Sequence, residues 1–171
     1  MVILGNGAKG FIGQNLCNKL KTEGYKVYEF DLGDNIDDFT KDCDFVFHLA
    51  GINRPKDNDF SGNYTILEKV LNSLKENKNK CPIMLSSSIQ AELDNDYGKS
   101  KLKAEELLTA YGKENKVDTF IYRFPNVFGP GCNPNYNSVV ATWCYNLANG
   151  LELRVDEDKM LKLIYIDDVV N

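Results

Sequence analysis

A tyrosine and a lysine four residues apart, Tyr97 and Lys101 in "YGKSK", form the pair in this chain best suited to proton transfer. On a helix that spacing puts both side chains on one face. A phenol with a pKa of about 10 is a poor acid or base at neutral pH, and a neighbouring ammonium favours its phenolate. Lys101 is therefore expected to draw the Tyr97 pKa toward neutrality, so that Tyr97 can exchange a proton with a carbonyl or alcohol oxygen. Just upstream, "LSSSIQ" (85–90) places three hydroxyls at the end of an apolar run. Ser88 is expected to polarise a carbonyl oxygen, while Ser86 and Ser87 line the site or satisfy local backbone groups.

A second constellation opens the chain. In "GNGAKGFIG" (5–13), Gly5, Gly7 and Gly10 spell G-x-G-x-x-G, and Gly7, Gly10 and Gly13 spell G-x-x-G-x-x-G. Either spacing suits a tight turn that presents a helix N-terminus to a pyrophosphate. Ile12, Leu16 and Leu20 form a helical stripe, which puts Gly13 inside the first turn. Glycine there costs about 1 kcal/mol relative to alanine, and close packing of helix on strand is a reason to accept that cost. The wider register is favoured because it uses Gly13. Asp31 follows Gly13 by eighteen residues at the end of a second apolar run. It is either an acceptor for ribose hydroxyls or a solvated strand end.

Positioning these groups requires strands that alternate with helices. Apolar runs predict strands at 2–4, 25–31, 45–51, 82–88, 118–124 and 162–166. Helical stripes predict helices from Phe11 or Ile12 to Gly24, from Tyr64 to Lys80, from Tyr97 to Lys113 and from Ser138 to Asn149, with a short helical connection near 35–43. The alternation predicts an α/β fold with a Rossmann-like, doubly wound, mainly parallel sheet.

The chain has 171 residues, about one domain, and a net charge of −5, which argues against nucleic acid or an anionic membrane as partner. No apolar run approaches the roughly 18 residues of a membrane span, and no charged-then-apolar leader precedes the first strand. The expectations are no membrane insertion and a cytoplasmic location. Cys17, Cys43, Cys81, Cys132 and Cys144 are odd in number and contain no C-x-x-C, so reduced thiols are expected. His48 is the single histidine, which leaves a zinc site or a Ser-His-Asp triad little to work with, and no metal is expected.

Together, "GAKGFIG", "HLAG", "SSS", "YGKSK", "RFPNVFGPG" and "YIDDVV" resemble the extended short-chain dehydrogenase/reductases, which act on nucleotide sugars. "HLAGINRP" (48–55), "LSSSIQA" (85–91) and "PNYNSVVATWCYNLANG" (134–150) resemble a bifunctional branch of that family from capsular-polysaccharide synthesis. The resemblance implies a catalytic set of Ser88, Tyr97 and Lys101. It implies coenzyme contacts from Gly7, Lys9, Gly10, Phe11, Ile12, Gly13 and Asp31, continued by Leu49, Ala50, Gly51, Ser86, Tyr97, Lys101, Pro125 and Asn126. The sugar side would be Ser88, Gln90, Asn126, Asn133, Asn135, Tyr136 and Asn137, a set rich in amides that suit hydroxyl and acetamido groups. Asn137 or Ser138 could equally cap the helix that follows.

The implied activity is NADPH-dependent reduction of the 4-keto group of a UDP-2-acetamido-2,6-dideoxyhexose, on the route to UDP-N-acetyl-L-fucosamine. Two positions depart from the family pattern: Asn6 stands where threonine is usual, and Asp31 is an acid that repels a 2′-phosphate. With Lys9 nearby to offset the acid, the expectation is NADP(H) weakly preferred and NAD(H) also used. The branch adds a C-terminal zinc-binding cupin and is expected to form homodimers at full length. The chain stops just after "YIDDVV", so 1–171 is expected to be an incomplete, C-terminally truncated NAD(P)-binding reductase domain. Two alternatives stand beside this reading. One is a nucleotide-sugar 4-epimerase with tightly bound NAD, and the other is an NAD(P)-binding module without turnover. A 4,6-dehydratase is disfavoured because Ile89 and Gln90 follow Ser88, where that group carries Asp-Glu.

Overall fold

Short apolar runs separated by amphipathic helices leave each strand only one efficient way to bury itself, between neighbouring strands with helices above and below. The structure is a computed structural model and describes residues 1–31, 33–155 and 160–171. It falls into two compact units, Met1–Arg123 and Phe124–Asn171.

The first unit is a five-stranded sheet: β1 (Val2–Asn6), β2 (Lys26–Phe30), β3 (Phe45–His48), β4 (Ile83–Ser88) and β5 (Thr119–Phe124, whose last residue crosses the boundary). The order is β2-β1-β3-β4-β5, and β1 pairs in parallel with both β2 and β3. The chain reverses its direction of travel across the sheet at β1 and β3, so the loops leaving these strands flank a crevice at their C-terminal ends, where open α/β sheets place ligands. The helices are α1 (Phe11–Thr22), α2 (Asp37–Thr40), α3 (Gly62–Glu76) and α4 (Asp96–Asn115). The main core joins Leu4, Val46, Ile83 and Leu85 of the strands to Leu67, Val70, Leu71 and Leu74 of α3 and Ala104, Leu108 and Tyr111 of α4. Because side chains alternate along a strand, Gly5 points to the opposite face, where a Cβ would lie 3.0 Å from Cys17 Sγ of α1.

Elements and boundaries largely follow the apolar pattern; β3 stops at His48 rather than Gly51, and three further differences stand out. Helix α3 ends at Glu76 rather than Lys80, and Lys78 turns left-handed with φ of 54°. Asn79 then donates to the carbonyls of Thr40 (2.8 Å) and Cys43 (2.9 Å), which ties the chain to the α2–β3 connection before β4 begins. A 3-10 turn over Ile89–Glu92, absent from the sequence expectation, joins β4 to α4. The late apolar run becomes a strand of only three residues, β7 (Leu163–Tyr165), and it does not join the five-stranded sheet. It pairs in parallel with an unexpected strand, β6 (Asn126–Phe128), in the second unit.

The second unit also holds α5 (Val139–Ala148) and α6 (Ile166–Val170). Ser138 caps α5, its hydroxyl accepting from Ala141 N at 3.2 Å, which settles the choice between Asn137 and Ser138 as cap. Among the described residues no helix is long and apolar enough to cross a membrane. All five cysteines are free; Cys43 and Cys81 meet in the core with Sγ atoms 3.6 Å apart.

Candidate active site

The glycines of the opening turn are explained by what stands where their side chains would be. Gly7 has φ of +87°, and a Cβ on it would lie 2.6 Å from Ala50 N. Gly10 is the N-cap of α1, with no side chain of its own to satisfy the first N–H groups of the helix. Gly13 sits in the first turn, where a Cβ would fall 2.2 Å from the Gly7 carbonyl oxygen. The close approach at Gly13 is to rigid backbone, so the G-x-x-G-x-x-G register has a physical cause. Gly13→Ala is expected to cost about 2 kcal/mol through overpacking, read as a lower urea midpoint, and to weaken coenzyme binding; an unchanged midpoint would show that the turn can yield. A glycine cradle at a helix N-terminus fits a pyrophosphate, because amide N–H groups and the positive end of the helix dipole both face it.

Phe11 and Ile12 are half-buried in the first turn of α1, and Lys9 is exposed. Asp31 follows β2, and its carboxylate stands 3.9 Å from Lys9 Nζ, an open pair of little energetic weight. From β3 the chain runs through Leu49, Ala50 and Gly51. Gly7 packs on the Leu49–Ala50 backbone, and a Cβ on Gly51 would lie 3.4 Å from Lys101 Nζ. The glycine turn, the loop after β3 and the lysine of α4 thus form one row along the C-terminal edge of the sheet.

Helix α4 brings the catalytic candidates to that row. Asn95 caps it by accepting from Gly98 N at 2.7 Å, and a Cβ on Gly98 would clash with the Gln90 and Leu93 carbonyls. The helix therefore packs directly on the turn that follows Ser88. Ser88 accepts from Gln90 N at 3.2 Å, and its hydroxyl is near enough to Tyr97 to lower the phenol pKa. The Tyr97 ring makes an edge contact with Phe60, centroids 5.8 Å apart. Lys101 is buried and donates to the Ser86 carbonyl at 2.9 Å. Gln90 itself is exposed.

Two expectations need correction. The Tyr97 pKa is raised from its ordinary value by burial, which outweighs the lowering effect of Ser88; the ammonium does not pull it toward neutrality. Lys101 carries the large perturbation instead, pushed down to about 8 by burial while Glu105 opposes the shift. Ser87 neither lines the row nor satisfies backbone, because its hydroxyl donates to the buried carboxylate of Glu105 at 2.5 Å.

Further groups complete the surroundings. Asn63 is buried on α3; it accepts from Ile52 N (2.8 Å) and donates to Ile52 O and Ser100 Oγ, each at 2.9 Å, fastening the loop after β3 to two helices. His48 is fully buried beside Asn6, its register partner across β1 and β3. With Asn6 Nδ2 donating to His48 Nδ1 at 3.0 Å, the ring proton lies on Nε2, which has no hydrogen-bond partner among the described residues. Burial, with the Lys101 charge nearby, pushes the His48 pKa down to about 3, so the ring is neutral at working pH.

In the second unit, Pro125 is half-buried just before β6 and Asn126 opens that strand. Asn133, Asn135, Tyr136 and Asn137 are exposed in the segment before α5. Asn135 is left-handed with φ of 56°, and its N–H donates to Thr142 Oγ1 at 2.9 Å.

A glycine cradle at the sheet's switch point, beside Ser88 at the end of β4 and Tyr97 and Lys101 on α4, defines a class of nucleotide-dependent α/β proteins. The sequence matches the NAD dependent epimerase/dehydratase family over residues 3–171, and the chain belongs to that family. It is 41% identical, over 99% of its own length, to the UDP-2-acetamido-2,6-beta-L-arabino-hexul-4-ose reductase of Pseudomonas aeruginosa, of which it spans 48%. Among solved structures it is similar to the capsular polysaccharide assembling protein CapF from Staphylococcus aureus, with a TM-score of 0.89 and 45% identity, covering 99% of this chain and 48% of that one. The UDP-glucose 4-epimerase of Thermotoga maritima shares the fold, with a TM-score of 0.85 at 23% identity, covering 99% of this chain and 71% of that one. The chain thus spans about half the length of the P. aeruginosa and S. aureus relatives it matches.

Proposed function

We propose that this chain carries the coenzyme-binding and catalytic part of a nucleotide-sugar reductase acting on the 4-keto group of a UDP-2-acetamido-2,6-dideoxyhexose. The observation that carries the reading is the row from Gly7 through Gly51 to Lys101, with Ser88 ending β4 and Tyr97 in the first turn of α4 beside it. The P. aeruginosa relative, named for that keto sugar, supports the substrate class.

A bound reduced nicotinamide supplies the hydride to the substrate carbonyl carbon. Gly7, Gly10 and Gly13 would hold its pyrophosphate, and Asp31 its adenine ribose. Ser88 steadies the carbonyl oxygen, and Tyr97 delivers the proton to it. A tyrosine whose pKa is raised suits this direction, because it stays protonated and ready to donate. Lys101, anchored on Ser86, would hold the nicotinamide ribose and stabilise negative charge that develops on Tyr97. Asn133, Asn135 and Tyr136 are offered for the sugar and its acetamido group.

The test is direct. The protein is mixed with the UDP-4-keto sugar and NADPH or NADH, and loss of reduced-nicotinamide absorbance is followed together with the sugar product. Stoichiometric oxidation with formation of the 4-hydroxy sugar is the expected result; inertness toward both coenzymes, or release of a 4-epimer with no net oxidation, overturns the reading. Titrating both coenzymes by fluorescence should show binding of each, with NADPH tighter by only a few-fold. A large preference for NADH would mean that the Asp31 charge dominates and Lys9 does not offset it.

A further inference from the structure

Lys101 poses an electrostatic problem. Its ammonium is buried, and its hydrogen bond goes to a neutral carbonyl. One helical turn further on lies Glu105, also buried and held from two sides. Ser87 donates to it at 2.5 Å from β4, and Arg123 of β5 forks onto it through Nε (2.9 Å) and Nη2 (2.6 Å). The remaining arm of Arg123, Nη1, reaches Glu92 at 2.8 Å, in the turn that Ser88 caps. One guanidinium is thus shared by two carboxylates, and one negative charge is left over. A helix-to-strand clamp made for stability alone would do as well with apolar groups, since buried ion pairs rarely gain over hydrophobic packing. The surplus charge has a use if Lys101 balances it.

We propose that Glu105 is a positioning residue for the reduction: locked by Ser87 and Arg123, its carboxylate is the fixed counter-charge that holds the Lys101 ammonium in the site and ties α4 to the strand bearing Ser88. This rests on the reading that Tyr97 and Lys101 carry out the reduction. The other titratable groups around Lys101 do not take the role. His48 of β3 is neutral, Tyr97 is neutral, and Arg123 carries the same charge as the lysine.

The experiment is the pH profile of kcat/KM on the intact protein for wild type, Glu105→Gln and Glu105→Asp. Loss of the Lys101 proton sets the alkaline limb. In Glu105→Gln that limb should move about half a unit or more toward acid, about a threefold loss of the charged form above it. NAD(P)H binding at neutral pH should stay within about threefold, since the lost group acts through Lys101 rather than on the coenzyme. Glu105→Asp keeps the charge and should restore the limb at a lower kcat. Equal loss at every pH, with the limb unmoved, is the signature of a merely structural clamp and overturns the proposal. If Glu105→Gln fails to fold, Glu92→Gln at the exposed end of the network carries the test: a smaller shift in the same direction supports the proposal, and an unmoved limb overturns it. Tyr97→Phe separates the two readings. An active Tyr97→Phe refutes the reading that Tyr97 and Lys101 carry out the reduction, whereas an inactive one beside an unmoved limb in the Glu105 variant refutes only this role.

Discussion

Tyr97→Phe is expected to lower kcat for keto-sugar reduction by a factor of about 10² to 10⁴, the usual worth of a positioned proton donor. Coenzyme binding should remain within a few-fold, because only the hydroxyl is removed. The ring keeps its edge contact with Phe60, and Lys101 keeps its anchor on Ser86. A loss confined to kcat marks an interaction made in the transition state alone. Stopped-flow measurement of coenzyme oxidation, alongside coenzyme titration, separates the two quantities. Turnover close to wild type would remove Tyr97 from the proton path and leave Ser88 or a solvent molecule as the donor.

The second large effect concerns stability in acid and originates at His48. Its folded pKa is about 3 against an ordinary value of 6.5. Above pH 6.5 the ring is neutral in both folded and unfolded chains and has no influence on the pH dependence. Below it the unfolded chain takes up a proton that the folded chain refuses, so stability falls as pH falls, at about 1.4 kcal/mol per unit until the folded pKa is reached. Between pH 6.5 and 5 the loss is about 2 kcal/mol. The buried carboxylate of Glu105 is depressed below its ordinary 4.5 and loses its stabilising contribution only at lower pH, so this window belongs to His48. Urea midpoints measured at both ends of the window should fall steeply for wild type and shallowly for His48→Asn. Parallel falls in the two proteins would place the acid sensitivity elsewhere.

Much of this was legible in the residues, and the rest was illegible for physical reasons. The five strands of the main sheet, the glycine turn and the four-residue step from Tyr97 to Lys101 are local features, carried by periodicity and by the conformational limits of glycine. The pairing of β6 with β7 is not local: three-residue strands more than thirty positions apart find each other only in the folded chain. The early end of α3 is likewise a tertiary effect, since Lys78 and Asn79 carry no strong stop signal and it is Asn79's bonds to Thr40 and Cys43 that turn the chain. The direction of the Tyr97 shift went the other way because spacing shows which groups are neighbours but not how dry their surroundings are. Glu105 had a faint signal, an acid one turn beyond Lys101, as did Arg123, a cation at the end of an apolar strand. Neither meant much until the fold brought them together.

Tyr97, Lys101 and Glu105 stand at successive four-residue steps on a single helix that is pinned twice, near its start at Gly98 against the preceding turn and midway at Glu105 through Arg123. A substitution within α4 disturbs one of these groups at a time. An insertion or deletion of a single residue between 97 and 105 rotates everything beyond it by about 100°. That would part the phenol from the ammonium or the ammonium from its counter-charge, whichever pair the change falls between. Drift in this segment is therefore free to alter letters but not length: α4 behaves as a reading frame, and a frameshift in space silences the whole message.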